Sequence, residues 1–390
     1  MAIKRRVAAL AATGGLLGFL LLVPAHNKRT LAQEAPGMAG PVAQSAQAPA
    51  VKTAAEVYKN IKVLKDIPAY ELIPTMEFIS ASLGVRCEYC HVEHHFDQDT
   101  KRPKLRAREM MQMMFAIDKD NFHGHMEVTC NTCHNGSAHP AGIPAVAEAA
   151  VAARPDHPEG PEEHVNLASL PQPDAIVAKY VEAIGGAEAL RKIKSRVITG
   201  TMTVFGHAMP IEIDAQAPDL WASVTTLPRG RIVTIYNGHE GWAAGAPRPP
   251  HVLEGGELDE ARLEADFYFP LDLHQDFVSL RERPPQKING HDAYVVLGFR
   301  PGMPPVQFYF DQQSGLLLRM VYLTQTAVGL LPEQTDYSDY REVDGVKLPF
   351  QWTVSRPGVQ STVQVAEIRQ NVPISESKFT IPAPQHAAGQ

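Results

Sequence analysis

The chain has 390 residues but only four cysteines, and all four fall in two short clusters. So few thiols exclude a fold stapled by many disulfides. None lies near the N-terminus, which excludes a lipid-modified N-terminal cysteine. Beyond the first residues there is no further apolar run of the ~18 residues that would suggest a membrane helix. Neither sign of charge dominates: the net value is −7. That balance argues against a nucleic-acid partner. The C-terminal half shows no nucleophile–base pair and no carboxylate constellation above background, and it lacks cysteine altogether.

What the N-terminus does have is a targeting pattern. Lys4, Arg5 and Arg6 precede a mostly apolar run, Val7 to Val23, and Thr30-Leu31-Ala32 offers a small-residue cleavage site. Residues 1–32 read as a signal peptide, with an uncleaved N-terminal anchor as the alternative. Residues 33–54 are rich in Ala, Gln, Pro and Gly and read as a disordered spacer.

The cysteines fall in Cys87-Glu88-Tyr89-Cys90-His91 and Cys130-Asn131-Thr132-Cys133-His134. Each is a C-x-x-C-H sequence, the attachment pattern of a c-type haem. Two thiols one helical turn apart can form thioethers to the haem vinyl groups. The histidine that follows can take the iron as proximal ligand. A four-cysteine zinc site or two disulfides would also use the thiols, but neither calls for a histidine after both pairs. The reading is two covalently bound haems c, held by Cys87, Cys90, Cys130 and Cys133, with His91 and His134 on the irons.

From Ala55 to residue 142 the pattern is mainly helical. Val57, Ile61, Val63 and Leu64 suggest a short first helix broken by Pro68. A second helix opens at Pro74 and ends at Gly84. A third runs from Pro103 to about Asp120, with Ala107, Met110, Met111, Met114 and Ile117 on one stripe. Two units of helix, loop and C-x-x-C-H form a degenerate repeat. Methionine sulfur in the sixth position of such an iron favours electron transfer. Met76 precedes the first motif, and Met110, Met111, Met113 and Met114 precede the second; any of them could instead be packing. His94, His95, His123 and His125 are rival ligands from the loops. Lys101, Lys104, Arg106 and Arg108 could pair with haem propionates or form a solvated face.

Residues 143–172 read as a Pro/Ala-rich linker. From Pro173 two helices precede a change to period-two alternation, punctuated by Asn289-Gly290, Ser314-Gly315 and Asp344-Gly345. About ten strands joined by short turns imply one large antiparallel sheet, curved or closed to protect its edges.

Residues 55–142 resemble the haem-binding units of the cytochrome subunit of photosynthetic reaction centres. The resemblance is carried by Met76-Glu77-Phe78 through Leu83-Gly84-Val85-Arg86-Cys87, and by Ala107-Arg108-Glu109-Met110 through Ile117-Asp118 to Val128-Thr129-Cys130. It implies that Met76 is the axial ligand of the first iron and Met110 that of the second, with Met113 next in line. The family's subunits typically carry four haems, and this chain has motifs for two.

Residues 173–384 are similar to periplasmic lipoprotein-carrier and sorting proteins, through Tyr236-Asn237-Gly238-His239-Glu240-Gly241-Trp242, Phe308-Tyr309-Phe310-Asp311 and Asp344-Gly345-Val346-Lys347-Leu348-Pro349-Phe350. That resemblance implies a half-open barrel with helices across its mouth.

The expected architecture is multidomain. A small α-helical dihaem cytochrome c domain (55–142) precedes an antiparallel β half-barrel domain with helices (173–384). The expected protein is an exported electron carrier, periplasmic or otherwise extracytoplasmic, with attachment to the membrane through an uncleaved N-terminus as the alternative. Its partners would be redox donor and acceptor proteins, with a lipophilic ligand in the β domain and no nucleic acid. The rivals are a peroxidase-like haem enzyme with one open iron and a lipophile-binding protein with an accessory haem domain.

Overall fold

A computed structural model describes residues 51–140, 169–245 and 248–382. The expected signal peptide (1–32), nearly all of the expected spacer (33–54) and most of the expected linker (143–172) lie outside them.

Five helices cover the motif region: α1 (Ala54–Val57), α2 (Leu72–Leu83), α3 (Cys87–Cys90), α4 (Arg102–Asn121) and α5 (Cys130–His134). The expected helix over Val57–Leu64 shrinks to α1. Its Thr53–Glu56 capping box closes one turn, and Ile61, Val63 and Leu64 reach the core from turns instead. The second helix starts two residues before Pro74. Proline is tolerated there because the first-turn amides have no intrahelical acceptor. α4 lies within a residue of its expected bounds, opened by Pro103.

After α6 (Pro173–Ala183) and α7 (Gly186–Lys192) come thirteen strands: β1 (Ser195–Val204), β2 (His207–Gln216), β3 (Leu220–Leu227), β4 (Gly230–Asn237), β5 (Gly241–Gly245), β6 (Arg248–Val252), β7 (Ser279–Ile288), β8 (His291–Phe299), β9 (Val306–Asp311), β10 (Leu317–Thr326), β11 (Gly329–Val343), β12 (Val346–Arg356) and β13 (Val359–Gln370). They form a single sheet in the order β6-β5-β4-β3-β2-β1-β13-β12-β11-β10-β9-β8-β7. Every adjacent pair is antiparallel. The order is two meanders fused where β1 pairs with β13. Thirteen strands replace the expected ten or so; the short β5 and β6 and the proline-bearing β7 had no clean alternation to mark them.

The edge strands β6 and β7 each contain a Pro-Pro pair, Pro249-Pro250 and Pro284-Pro285. Proline offers no amide to a neighbouring chain, which protects an open edge. The β7–β8 register breaks across the second pair, between Arg283 and Gln286.

Two helices that the sequence pattern had not revealed, α8 (Gly255–Ala265) and α9 (Phe269–Asp276), link these edges in the chain. With α6 and α7 they pack on the sheet: Ile176, Tyr180, Leu190, Leu263, Leu273 and Phe277 meet Val296, Phe308, Phe310 and Val346 in one cluster. Full burial of each large side chain here contributes about 1.5–3 kcal/mol.

The sheet reaches the motif region through the β10–β11 hairpin. Val328 at its tip is 0 % exposed and packs with Leu72, Phe78, Ile79, Met111 and Met114. The Ala327 amide donates to the hydroxyl of buried Thr75 on α2 at 3.3 Å.

Candidate metal centres

Each C-x-x-C pair occupies a single helical turn. In α3 the His91 amide closes the turn on the Cys87 carbonyl at 2.9 Å. In α5 a Thr129–Thr132 capping box starts the turn and His134 ends it. No disulfide joins any of the four cysteines. Burial pushes the Cys130 thiol up to about 11, and the Cys90 thiol upward as well.

Both motif histidines are held by the same kind of contact. His91 Nδ1 lies 3.0 Å from the Phe96 carbonyl oxygen, and His134 Nδ1 lies 2.9 Å from that of Ser137. A carbonyl oxygen only accepts, so each Nδ1 carries the proton. The lone pair is then on Nε2, free for a metal. Burial, foremost, pushes the His91 imidazole toward its neutral, ligating form; the nearby Lys104, Arg108 and Lys101 charges act in the same direction, against the Phe96 contact.

The loops carrying these carbonyls are tied down. Lys104, 8 % exposed, donates to the Phe96 and Gln98 carbonyls at 2.8 Å each and lies 3.0 Å from Asp99. Arg108 bonds Asp99 at 2.9 Å and the Asn60 carbonyl at 3.1 Å. Hydrogen bonds from Arg108, Asn60 and Lys104 hold the Asp99 carboxyl well below the usual carboxylate range. Lys104 and Arg108 thus tie the loop to α4 through Asp99. Lys101 donates to the Glu88 carbonyl and Arg106 pairs with Glu109. Buried Asp118 on α4 accepts the Glu127 and Val128 amides at 3.2 and 2.9 Å, which fixes the approach to the second motif. These acceptor carbonyls carry no sequence signature, and nothing in the spacing singled out Asp99 or Asp118.

A cavity of about 780 Å³ lies along α4. Cys130, Cys133 and His134 line it together with Met110 and Met113, so the second motif faces the methionine-bearing helix. Cys90 and Tyr89 of the first motif border the same cavity. Met111 and Met114 also reach it, but they belong to the buried cluster around Val328. Met76 is half-buried on α2 against that cluster and is not among the residues lining this cavity. His94, His95, His123 and His125 are exposed and do not line it either, whereas His139 and Arg102, which had not stood out in the sequence, do.

These residues fit a covalently held haem c. Each motif supplies paired thiols on one turn and an imidazole with Nε2 available, and the second opens onto a largely apolar cavity with thioether sulfur in its wall.

The family described as "Photosynthetic reaction centre cytochrome C subunit" matches residues 12–208. The chain belongs to that family. Members of this cytochrome c family bind haem c covalently through such motifs. The chain is 35 % identical over 92 residues to the photosynthetic reaction center cytochrome c subunit of Thermochromatium tepidum, covering 22 % of each chain. It is 33 % identical over 124 residues to the subunit of Rubrivivax gelatinosus, covering 30 % of this chain and 33 % of that one. It is 32 % identical over 85 residues to cytochrome c-554 of Chloroflexus aurantiacus, covering 20 % of each. The matched stretches thus span between a fifth and a third of these relatives.

Among solved structures, a LolA superfamily protein from Nitrosomonas europaea is similar at 14 % identity and a TM-score of 0.38, over 54 % of this chain and 99 % of that one. A DUF1329 family protein from Desulfovibrio piger is similar at 13 % identity and a TM-score of 0.39, over 53 % and 96 %. Among the described residues no helix is long and apolar enough to cross a membrane.

Proposed function

We propose that this cytochrome-family chain is an exported dihaem c-type electron carrier. The observation that carries the reading is the matched state of His91 and His134, each with Nδ1 committed to a backbone carbonyl and Nε2 left for iron. When bound, haem c supplies a one-electron iron couple. The chain's own residues do the rest. Cys87 and Cys90, and Cys130 and Cys133, hold the two groups covalently; His91 and Met76 ligate the first iron, and His134 and Met110 the second. Met110 and Met113 both line the cavity with His134; Met110 is preferred because it matches the first methionine of the family's helix pattern.

Two protein ligands on each iron leave no open position for bond-making chemistry, so the residues favour electron transfer over a peroxidase. That Cys90 borders the same cavity as Cys130 and Cys133 supports short transfer between the two sites. The sheet acts as a frame, gripping α2 through the β10–β11 hairpin. The N-terminal targeting pattern supports an extracytoplasmic site, with redox proteins as donor and acceptor.

An optical spectrum of the oxidised protein tests this. The expected result is low-spin iron throughout, with a methionine–iron charge-transfer band and no carbon monoxide binding on reduction. A high-spin component that binds carbon monoxide would favour the enzyme reading.

A further inference from the structure

The two motif histidines differ in what stands behind their carbonyls. The Ser137 carbonyl accepts the His134 Nδ1–H, and among the described residues no cation shares it. The Phe96 carbonyl accepts the His91 Nδ1–H at 3.0 Å and also the Lys104 ammonium at 2.8 Å. Lys104 is buried, and its other contacts, the Gln98 carbonyl at 2.8 Å and Asp99 at 3.0 Å, fix it in place. Asp99 faces Arg108 as well, at 2.9 Å, so two cations surround one carboxylate and a positive charge is left over.

We propose that Lys104 is a positioning residue that acts through the Phe96 carbonyl on His91, raises the reduction potential of the first site above that of the second, and so sets the order in which they take electrons. The inference rests on His91 being an iron ligand. An oxygen that accepts from an ammonium accepts less strongly from an imidazole N–H. The ring then keeps its proton more fully and donates less electron density, which disfavours the oxidised metal. The leftover positive charge acts in the same sense, and burial limits its screening. His134, with a carbonyl of its own, has neither influence.

The test is a potentiometric titration of the full-length, haem-loaded protein and two single variants. Lys104→Gln is expected to lower the higher of the two potentials by about tenfold in equilibrium constant, ~59 mV for a one-electron couple, and to leave the lower one in place. Asp99→Asn removes the opposing charge and is expected to raise that same potential. A merely structural loosening of the loop would move it the same way in both variants. Shifts of the same sign, no shift, or a shift of the lower potential overturns the inference. Should Lys104→Gln fail to fold, the direction of the Asp99→Asn shift decides alone. If haem content is unchanged in Cys87→Ala/Cys90→Ala, the reading of the first motif has failed. If both haems are present and neither charge variant moves a potential, only this inference has failed.

Discussion

Gly84, which caps α2, and Gly136, just past the second motif, meet backbone to backbone. Gly84 adopts φ +64°, and a Cβ there would collide with the Gly136 carbonyl oxygen. The Gly136 amide donates to the Ser82 carbonyl at 2.8 Å. The end of the helix that leads into the first motif is therefore clamped to the loop that leaves the second.

Replacing Gly84 tests that clamp. Gly84→Ala adds left-handed backbone strain of about 1–2 kcal/mol and a collision with backbone that cannot rotate away. The expected loss is ~2–4 kcal/mol in chemical denaturation. A loss under about 0.5 kcal/mol, the size of an ordinary surface substitution, would mean that the two loops are not in contact.

The methionine assignment on α4 separates Met110 from Met113, since both line the cavity. Met110→Ala should make the second iron high-spin and open to carbon monoxide, with about half of the methionine–iron band lost. Met113, 48 % exposed, should tolerate Ala with no spectral change. The reverse pattern would exchange the two roles.

A pH dependence is built into the α8–α9 corner. The Oδ2 atoms of Asp266 and Asp276 are buried with no donor, so a proton shared between the two carboxyls would satisfy both. Burial, then the neighbouring charge of Asp276, pushes Asp266 up to about 7, and burial raises Asp276 too. A carboxyl raised on folding binds more protons folded than unfolded, so stability falls as pH rises from about 4 to about 7. Asp266→Asn should flatten that slope and gain about 1–3 kcal/mol above pH 7. Denaturation curves at pH 5 and pH 8 measure it; an unchanged slope would show that the pair shares no proton.

How far the sequence carried the fold depended on which signals were local. Asn289-Gly290 and Asp344-Gly345 both have φ positive at each residue and turn hairpins where expected. Arg102–Asn121 followed from Pro103 and an unbroken apolar stripe. The α8–α9 pair was missed because Gly255-Gly256 opens it and acidic residues crowd its faces, so no clean stripe shows. At the site, the C-x-x-C-H spacing was legible because thiol chemistry demands it. The roles of Lys104 and Asp99 were not, since they depend on the carbonyls of a loop brought against α4 only by folding.

Both motifs are expected to carry haem. The most direct measurement is the covalent haem content of the denatured, solvent-extracted chain, in the wild type and in Cys130→Ala/Cys133→Ala. Two haems per chain are expected in the first and one in the second. One haem in the wild type, or haem that extracts freely into acid solvent, would contradict it.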